Sequence, residues 1–316
     1  MRPVANQRLL PEDGCLVTYG RSVPMRRFGA RLAVAVLACA GLVAATSPAT
    51  ASPSRTVPGL PVTLALGDSV AAGVGAGATE AERRSQGYVG LLYEEMRRSL
   101  DCVPARSARP AVGCRQLQLV DLSVGGATTT SLIQGQLPTA LELLRARNQD
   151  ANPRNDVEVV TVTIGGNDLF QPVVGACVQA SPPDPTRCAG TIQQVFTTAG
   201  KNLADILGSL REAAGPGTEI VLMTYYNPLP ACVLAPSAPL ADVVLEGGAL
   251  PGLTPLALGF NDLLRAQATR YGVLVADTYG RLDTGDLVGG SDCLHPDASG
   301  HAVIADVFAE ALGLPG

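Results

Sequence analysis

Only two of the 316 residues are histidine, His295 and His301, so any imidazole base in this chain is one of these two. His295 stands in Ser291-Asp292-Cys293-Leu294-His295-Pro296, with Asp292 three residues before it. A serine becomes nucleophilic when a base takes its proton, and imidazole suits that task at neutral pH. The imidazole in turn needs a carboxylate to hold its tautomer and stabilise its protonated form. Asp292 and His295 offer both. The serine in a matching context is Ser69, in Gly67-Asp68-Ser69-Val70 directly after an apolar run. A tetrahedral intermediate also needs converging donors for its oxyanion. Gly125-Gly126-Ala127-Thr128 and Gly165-Gly166-Asn167-Asp168 follow two further apolar runs and offer backbone N–H groups and a side-chain amide.

Each cluster alone has a plainer reading. Gly-Asp-Ser is a common turn or helix cap, Gly-Gly a tight turn, and Asp168 a helix-capping carboxylate. Asp292 and His295 could simply share a hydrogen bond on a surface loop. Taken together, the four clusters make a complete acyl-transfer set. His301 opens the last helical pattern, where a structural hydrogen bond is the expected job, so His295 is the candidate base. A helix opening at Ser69 would add the positive end of its dipole. The Gly-x-Ser-x-Gly signature of other serine hydrolases does not occur in the chain.

These clusters need elements to position them. Near-continuous Val, Ile and Leu runs predict strands at Val62–Leu66, Leu117–Leu122, Val157–Ile164, Glu219–Tyr225 and Val273–Ala276, as in a parallel sheet covered on both faces. Apolar stripes at helical spacing lie between them. One runs from Val89 to Leu100, and one joins Ile192, Val195, Ala199, Leu203, Ile206 and Leu210. Two more run from Phe260 to Ala268 and from Val303 to Ala311. Leu132–Leu144 is also helical in character, with Pro138 starting or kinking it. Alternating strands and helices imply an α/β, doubly wound sheet, whose ligands gather at the carboxyl ends of the strands. Segments 101–115, 170–190 and 227–255 lack a regular pattern and each holds cysteine, so they read as stapled surface loops. The last is the expected wall or lid for an apolar ligand. No repeat or linker divides residues 52–316, which read as one domain.

The formal charge of −5 hides an asymmetry. Residues 1–51 carry six Arg against two acidic side chains, leaving 17 basic and 26 acidic residues, or −9, for the remainder. Such a body excludes nucleic acid as a partner, because polyphosphate affinity comes from Lys and Arg. Met25-Arg26-Arg27, the apolar run Leu32–Ala45 and the small residues before Ser52 have the three-part layout of a signal peptide spanning 25–51. The run is short for a bilayer span, which argues against an uncleaved anchor and any stable membrane insertion. A lipoprotein site at Cys39 is a poor fit beside Leu37. Residues 1–24 precede a second candidate start at Met25 and are set aside as a non-native or disordered extension. Export to an oxidising compartment makes Cys102, Cys114, Cys177, Cys188, Cys232 and Cys293 a disulfide set. Six cysteines allow fifteen connectivities. Loop-closure economy favours Cys102–Cys114, Cys177–Cys188 and Cys232–Cys293. A zinc site is excluded by the lack of a C-x-x-C pair and the shortage of histidine.

The four clusters, in this order, resemble the SGNH/GDSL hydrolases, and in particular secreted actinobacterial lipases and esterases. The resemblance spans residues 60–313. It implies a flavodoxin-like α/β/α sandwich with a five-stranded parallel sheet, no cofactor and no metal. It also implies Ser69 as nucleophile, Asp292 and His295 as its partners, and Ser69, Gly126 and Asn167 as oxyanion donors. Secreted members with three sequential disulfides agree with the pairing above. Asp121 stands where the second block often has Asn, and Val70 where the first has Leu; neither removes a catalytic group. The expected activity is a secreted lipase or carboxylesterase acting on a small-molecule or lipid ester, as a monomer. Leu169, Phe170, Val173, Val174, Val233, Leu234, Leu240 and Leu245 are the candidate lining of an apolar acyl pocket. The alternatives are an O-acetyl esterase acting on carbohydrate, and a secreted binding domain that has lost catalysis.

Overall fold

The computed structural model describes residues 60–99, 116–182, 184–250, 252 and 255–314. The extension 1–24, the leader 25–51 and the Cys102–Cys114 pair lie outside the described residues. Five strands form one parallel sheet: β1 Val62–Gly67, β2 Gln118–Asp121, β3 Val157–Thr163, β4 Glu219–Met223 and β5 Leu274–Ala276. Each lies within two residues of its expected bounds. The spatial order is β2-β1-β3-β4-β5. The chain moves outward from β1 to β2, then crosses back to lay β3 on the other side. Strand order therefore reverses between β1 and β3, and a crevice opens beyond their carboxyl ends.

The helices are α1 Glu80–Gln86, α2 Tyr88–Ser99, α3 Thr129–Gln134, α4 Gln136–Asn148, α5 Gly166–Val173, α6 Pro185–Ala214, α7 Ala238–Glu246, α8 Phe260–Arg270 and α9 Ala298–Ala311. On one face of the sheet α2 packs on α9; on the other α4, α6 and α8 lie side by side. The expected stripe of α6 is buried along its whole length. Asp184 caps this helix by accepting the Arg187 N–H at 2.9 Å, Pro185 opens it, and Gly215 ends it with φ of 74°. The Leu132–Leu144 stretch is two helices broken at Gly135, and Pro138 falls in the first turn of α4, where no N–H partner is needed. At the base of the sheet the Asn148 amide pairs with Val157, donating to its carbonyl at 3.1 Å and accepting its N–H at 2.9 Å.

Two expectations are corrected. Segment 170–190 is not a patternless loop: it holds the end of α5, a π-helical turn at Val174–Val178 and the start of α6. Segment 227–255 holds two 3₁₀ turns and α7. Frequent Pro, Gly and Ala dilute the helical period there, yet Pro185 and Pro239 sit in first turns, where proline is tolerated. The sequence reading also passed over α1, although Thr79 and Glu82 form a reciprocal capping box.

His301 is buried and structural. Its Nε2–H donates to the Val74 carbonyl at 3.0 Å, and its Nδ1 accepts the Tyr88 N–H at 3.3 Å. Tyr88 itself stacks on Phe308, so the ring fastens α9 to α2 and to the chain that follows Ser69. Burial, as the main cause, holds the His301 imidazole below its ordinary range. The folded state thus resists a proton that the unfolded chain accepts, and stability is lost as pH falls below about 6.5. His301→Gln can keep both hydrogen bonds without titrating. The stability advantage of wild type over His301→Gln in urea is expected to shrink between about pH 7.5 and pH 5. A difference that stays constant with pH would show that His301 is not held neutral.

Candidate active site

β1 ends at Gly67, whose φ of 153° and contact with the Thr163 carbonyl leave no room for a side chain. Its carbonyl still accepts the Val124 N–H at 3.0 Å, and Gln136 of α4 holds the same peptide edge. The Gln136 Nε2 donates to the Gly67 carbonyl and its Oε1 accepts the Gly67 N–H, both at 2.8 Å. Asp68 N–H then donates to the Thr163 carbonyl of β3 at 2.9 Å. Ser69 follows, half-buried at the head of a run of turns through Ala76. This corrects one expectation. The next helix, α1, opens only at Glu80, so no helix dipole points at Ser69.

The second half of the site comes from the loop between β5 and α9. Asp292 Oδ1 accepts the N–H groups of Leu294 and His295 at 2.9 and 3.0 Å, which closes a tight turn. Its Oδ2 lies 2.8 Å from His295 Nδ1, and His295 Nε2 lies 2.9 Å from Ser69 Oγ. With the imidazole proton held at Nδ1 by Asp292, Nε2 is free to accept from the serine hydroxyl. Partial burial works to raise the Asp292 carboxyl. The bonds from His295 and Leu294 outweigh it and hold the group below the usual carboxylate range. Two anchors fix the loop: the Tyr226 hydroxyl donates to the Leu294 carbonyl at 2.7 Å, and Cys293 is bonded to Cys232.

The donor turns meet across β1 and β3. Asn167 Nδ2 donates to the Ala127 carbonyl at 2.9 Å, tying the third cluster to the residue beside Gly126. Gly126 takes φ of 78°, and among the described residues neither its N–H nor that of Ser69 is hydrogen-bonded. Asp168 does not cap its own helix. It accepts the Thr129 N–H and hydroxyl at 2.8 and 2.6 Å, closing the start of α3 from outside. Asn202 of α6 donates to the same Thr129 hydroxyl, so α3, α5 and α6 share one polar joint.

Beside these groups lies an apolar pocket. Leu169, Phe170, Val173 and Val174 of α5 and the π turn form one wall; Leu240, Ala241, Val244 and Leu245 of α7 face them. Ser69, Asn167, Tyr225, Tyr226 and Leu294 border it. Leu240 and Leu245 thus fall where expected. Val233 does not: it is 71% exposed and outside the lining, because its N–H is drawn to the Gly290 carbonyl. Leu234 packs instead against the cluster of Leu229 and the Cys232–Cys293 bridge.

Cys177–Cys188 and Cys232–Cys293 are both bonded as expected. Among the described residues no group of His, Cys, Asp or Glu side chains is arranged to hold a metal. The sequence reading missed Gln136, Tyr225, Tyr226 and the burial of Asp68. The first is silent in sequence, because an isolated glutamine on a helix reads as surface. The tyrosine pair stood at a strand's carboxyl end, a signal that was there to use.

A model of the GDSL-like lipase/acylhydrolase family matches residues 65–303. Among the curated proteins no relative matches the chain. The fold is similar to that of the lipase Lip_vut3 from a goat rumen metagenome, at 21% identity and TM-score 0.54, covering 80% of this chain and 97% of that one. Less similar is the acetylxylan esterase Axe2 from Geobacillus stearothermophilus, at 15% identity and TM-score 0.47, covering 81% and 95%.

The Cys232–Cys293 bridge spans 61 residues and joins the α7 side of the pocket to the loop of Asp292 and His295. In the chain-entropy view such a link contributes about 4 kcal/mol. Replacing both cysteines by alanine is expected to remove roughly that much in urea unfolding and to lower esterase activity. Unchanged activity at unchanged stability would show that the loop is held by its hydrogen bonds alone.

Proposed function

Since this chain belongs to the GDSL-like lipase/acylhydrolase family and is an ester hydrolase, we propose that it cleaves esters of apolar acids through Ser69, His295 and Asp292. The observation that carries this reading is the continuous chain from Asp292 Oδ2 to His295 to Ser69 Oγ, at 2.8 and 2.9 Å. His295 Nε2 takes the Ser69 proton as Oγ attacks the ester carbonyl. Asp292 steadies the imidazolium so formed. The oxyanion is met by the free N–H groups of Ser69 and Gly126 and by the Asn167 amide, each donor contributing about 2.7–4 kcal/mol to the barrier reduction. His295 then protonates the departing alkoxide, leaving an acyl-enzyme. Water, deprotonated by the same Nε2, attacks the acyl carbonyl, and the acid leaves as Ser69 regains its proton.

The pocket wall bears on the acid part of the substrate. Apolar side chains of α5 and α7 suit an acyl chain longer than acetyl. Each methylene withdrawn from water is worth about 0.8 kcal/mol, or roughly fourfold in kcat/KM. The catalytic domain is read as residues 52–316, acting as a monomer after export directed by residues 25–51. The two disulfides support an oxidising destination.

A series of nitrophenyl esters tests the substrate. kcat/KM is expected to climb from acetyl to octanoyl, and a maximum at acetyl, with turnover of acetylated xylan, would replace this reading by a carbohydrate O-acetyl esterase. A fluorophosphonate should label Ser69, and label less in His295→Ala. Asp292→Asn should lose about 10⁴-fold in kcat. Full activity in Ser69→Ala would sink the mechanism.

A further inference from the structure

One carboxyl in the site has no part in the chemistry above. Asp68 precedes the nucleophile and borders the pocket, yet it is only 2% exposed. Its Oδ2 accepts the Tyr225 hydroxyl at 2.6 Å and its Oδ1 accepts the Val70 N–H at 3.0 Å. Among the described residues no arginine or lysine pairs with it. A buried carboxyl without a cation is costly, and it survives where it makes contacts that a neutral side chain makes less well.

The other partner is equally fixed. Tyr225 follows β4, and both its N–H and its carbonyl are held at 2.8 Å by the buried amide of Asn261 on α8. Its ring lies so close to Gly166 that a Cβ there would stand 2.8 Å from it. The Tyr225–Asp68 bond therefore meets three strand ends at one point: β1 with Ser69, β3 with Gly166 and Asn167, and β4. We propose that Asp68 and Tyr225 are positioning residues, whose buried hydrogen bond sets the spacing between the Ser69 turn and the Gly166–Asn167 donor turn. This rests on the catalytic reading of Ser69 and Asn167 given above. Attack at a carbonyl requires oxygen and carbon to be held together, and a shift of about 1 Å can cost a hundredfold in rate.

The charge on Asp68 strengthens the bond, because a carboxylate accepts more strongly than a carboxylic acid. Burial is the main influence and pushes the Asp68 carboxyl up to about 6, against the bonds from Tyr225 and Val70 and the nearby His295. The titratable groups that face it are Tyr88, Tyr225, Tyr226 and His295. The three tyrosines are pushed up by burial and stay neutral. The positioning bond is thus at full strength well above pH 6 and weakens as pH falls through it.

Asp68→Asn and Tyr225→Phe keep the side-chain volumes and test the pair. Active sites are counted with a fluorophosphonate, and kcat and KM are measured per site on a soluble butyrate ester near pH 8. Each variant is expected to lose about tenfold in kcat with KM changed less than about twofold, the loss of one charge-assisted bond. The double variant should be no worse than Tyr225→Phe alone, because Asp68→Asn weakens the same contact that Tyr225→Phe removes. The acid limb of the wild-type kcat profile near pH 6 should also flatten in Asp68→Asn. If kcat per titrated site stays within about twofold of wild type in both variants, with superimposable pH profiles, the proposal is overturned even if their melting temperatures fall. Ser69→Ala separates the two readings: retained activity there sinks the catalytic reading and this proposal with it. A dead Ser69→Ala beside fully active Asp68 and Tyr225 variants sinks this proposal alone.

Discussion

A strand that stops inside a protein leaves an N–H and a C=O with no ladder partner, and a buried group left bare costs about 1–3 kcal/mol. Each of these strand ends carries part of the site, so the backbone there must be satisfied without being continued. Side-chain amides do this. Gln136 closes the end of β1 at Gly67 and Asn261 closes the chain after β4 at Tyr225; Asn148 does the same at the start of β3, at the end of the sheet away from the site. An amide carries one donor group and one acceptor, so it imitates a neighbouring strand for one residue and then lets the chain turn away. Ser69 and Tyr225 can leave the sheet at defined angles because of it. Substituting a carboxylate at Gln136 would supply only acceptors, so the Gly67 carbonyl would lose one of its two donors and keep only the Val124 N–H at 3.0 Å.

Much of this was legible in the chain itself. The strands could be read because buried parallel strands are almost unbroken Val, Ile and Leu, and the stripe of α6 because nothing interrupts its period over 30 residues. The candidate site could be read because histidine is scarce and Asp292 stands three residues before His295, and the structure brings both to Ser69. What escaped was set by distance in sequence. Gln136 and Gly67 are 69 residues apart and Tyr225 and Asp68 are 157 apart, so no local pattern announces either pair. The helical content of 170–190 and 227–255 escaped for a different reason. Proline and glycine there mark helix ends and first turns, and local rules take them as marks of loops. Val233 was misplaced because an apolar residue beside a pocket need not point into it.

Both walls of the pocket are rooted in the main core, α5 through Leu169 and Val173 and α7 through Val244 and Leu245. Each also touches a small separate cluster built on Leu229 and the Cys232–Cys293 bridge, α5 through Phe170 and α7 through Ala241. The small cluster therefore braces both walls at once. The same bridge ends one residue from Asp292. The link thus ties the chain beside the pocket to the loop of His295, which the Tyr226–Leu294 bond and the Asp292 carboxylate also hold.

His301 binds the beginning and the end of the described domain together, through Tyr88 and Val74 on one side and α9 on the other. Ser69 and His295 sit just inside the same two ends, 226 residues apart. A ribosome makes the chain from its N-terminus, so Ser69 emerges long before the imidazole that it meets in the fold. α9, which packs on α2, emerges after both. A nascent chain that stops short of His295 consequently carries Ser69 without its imidazole partner, and the candidate site closes only once the far loop has been made and folded back.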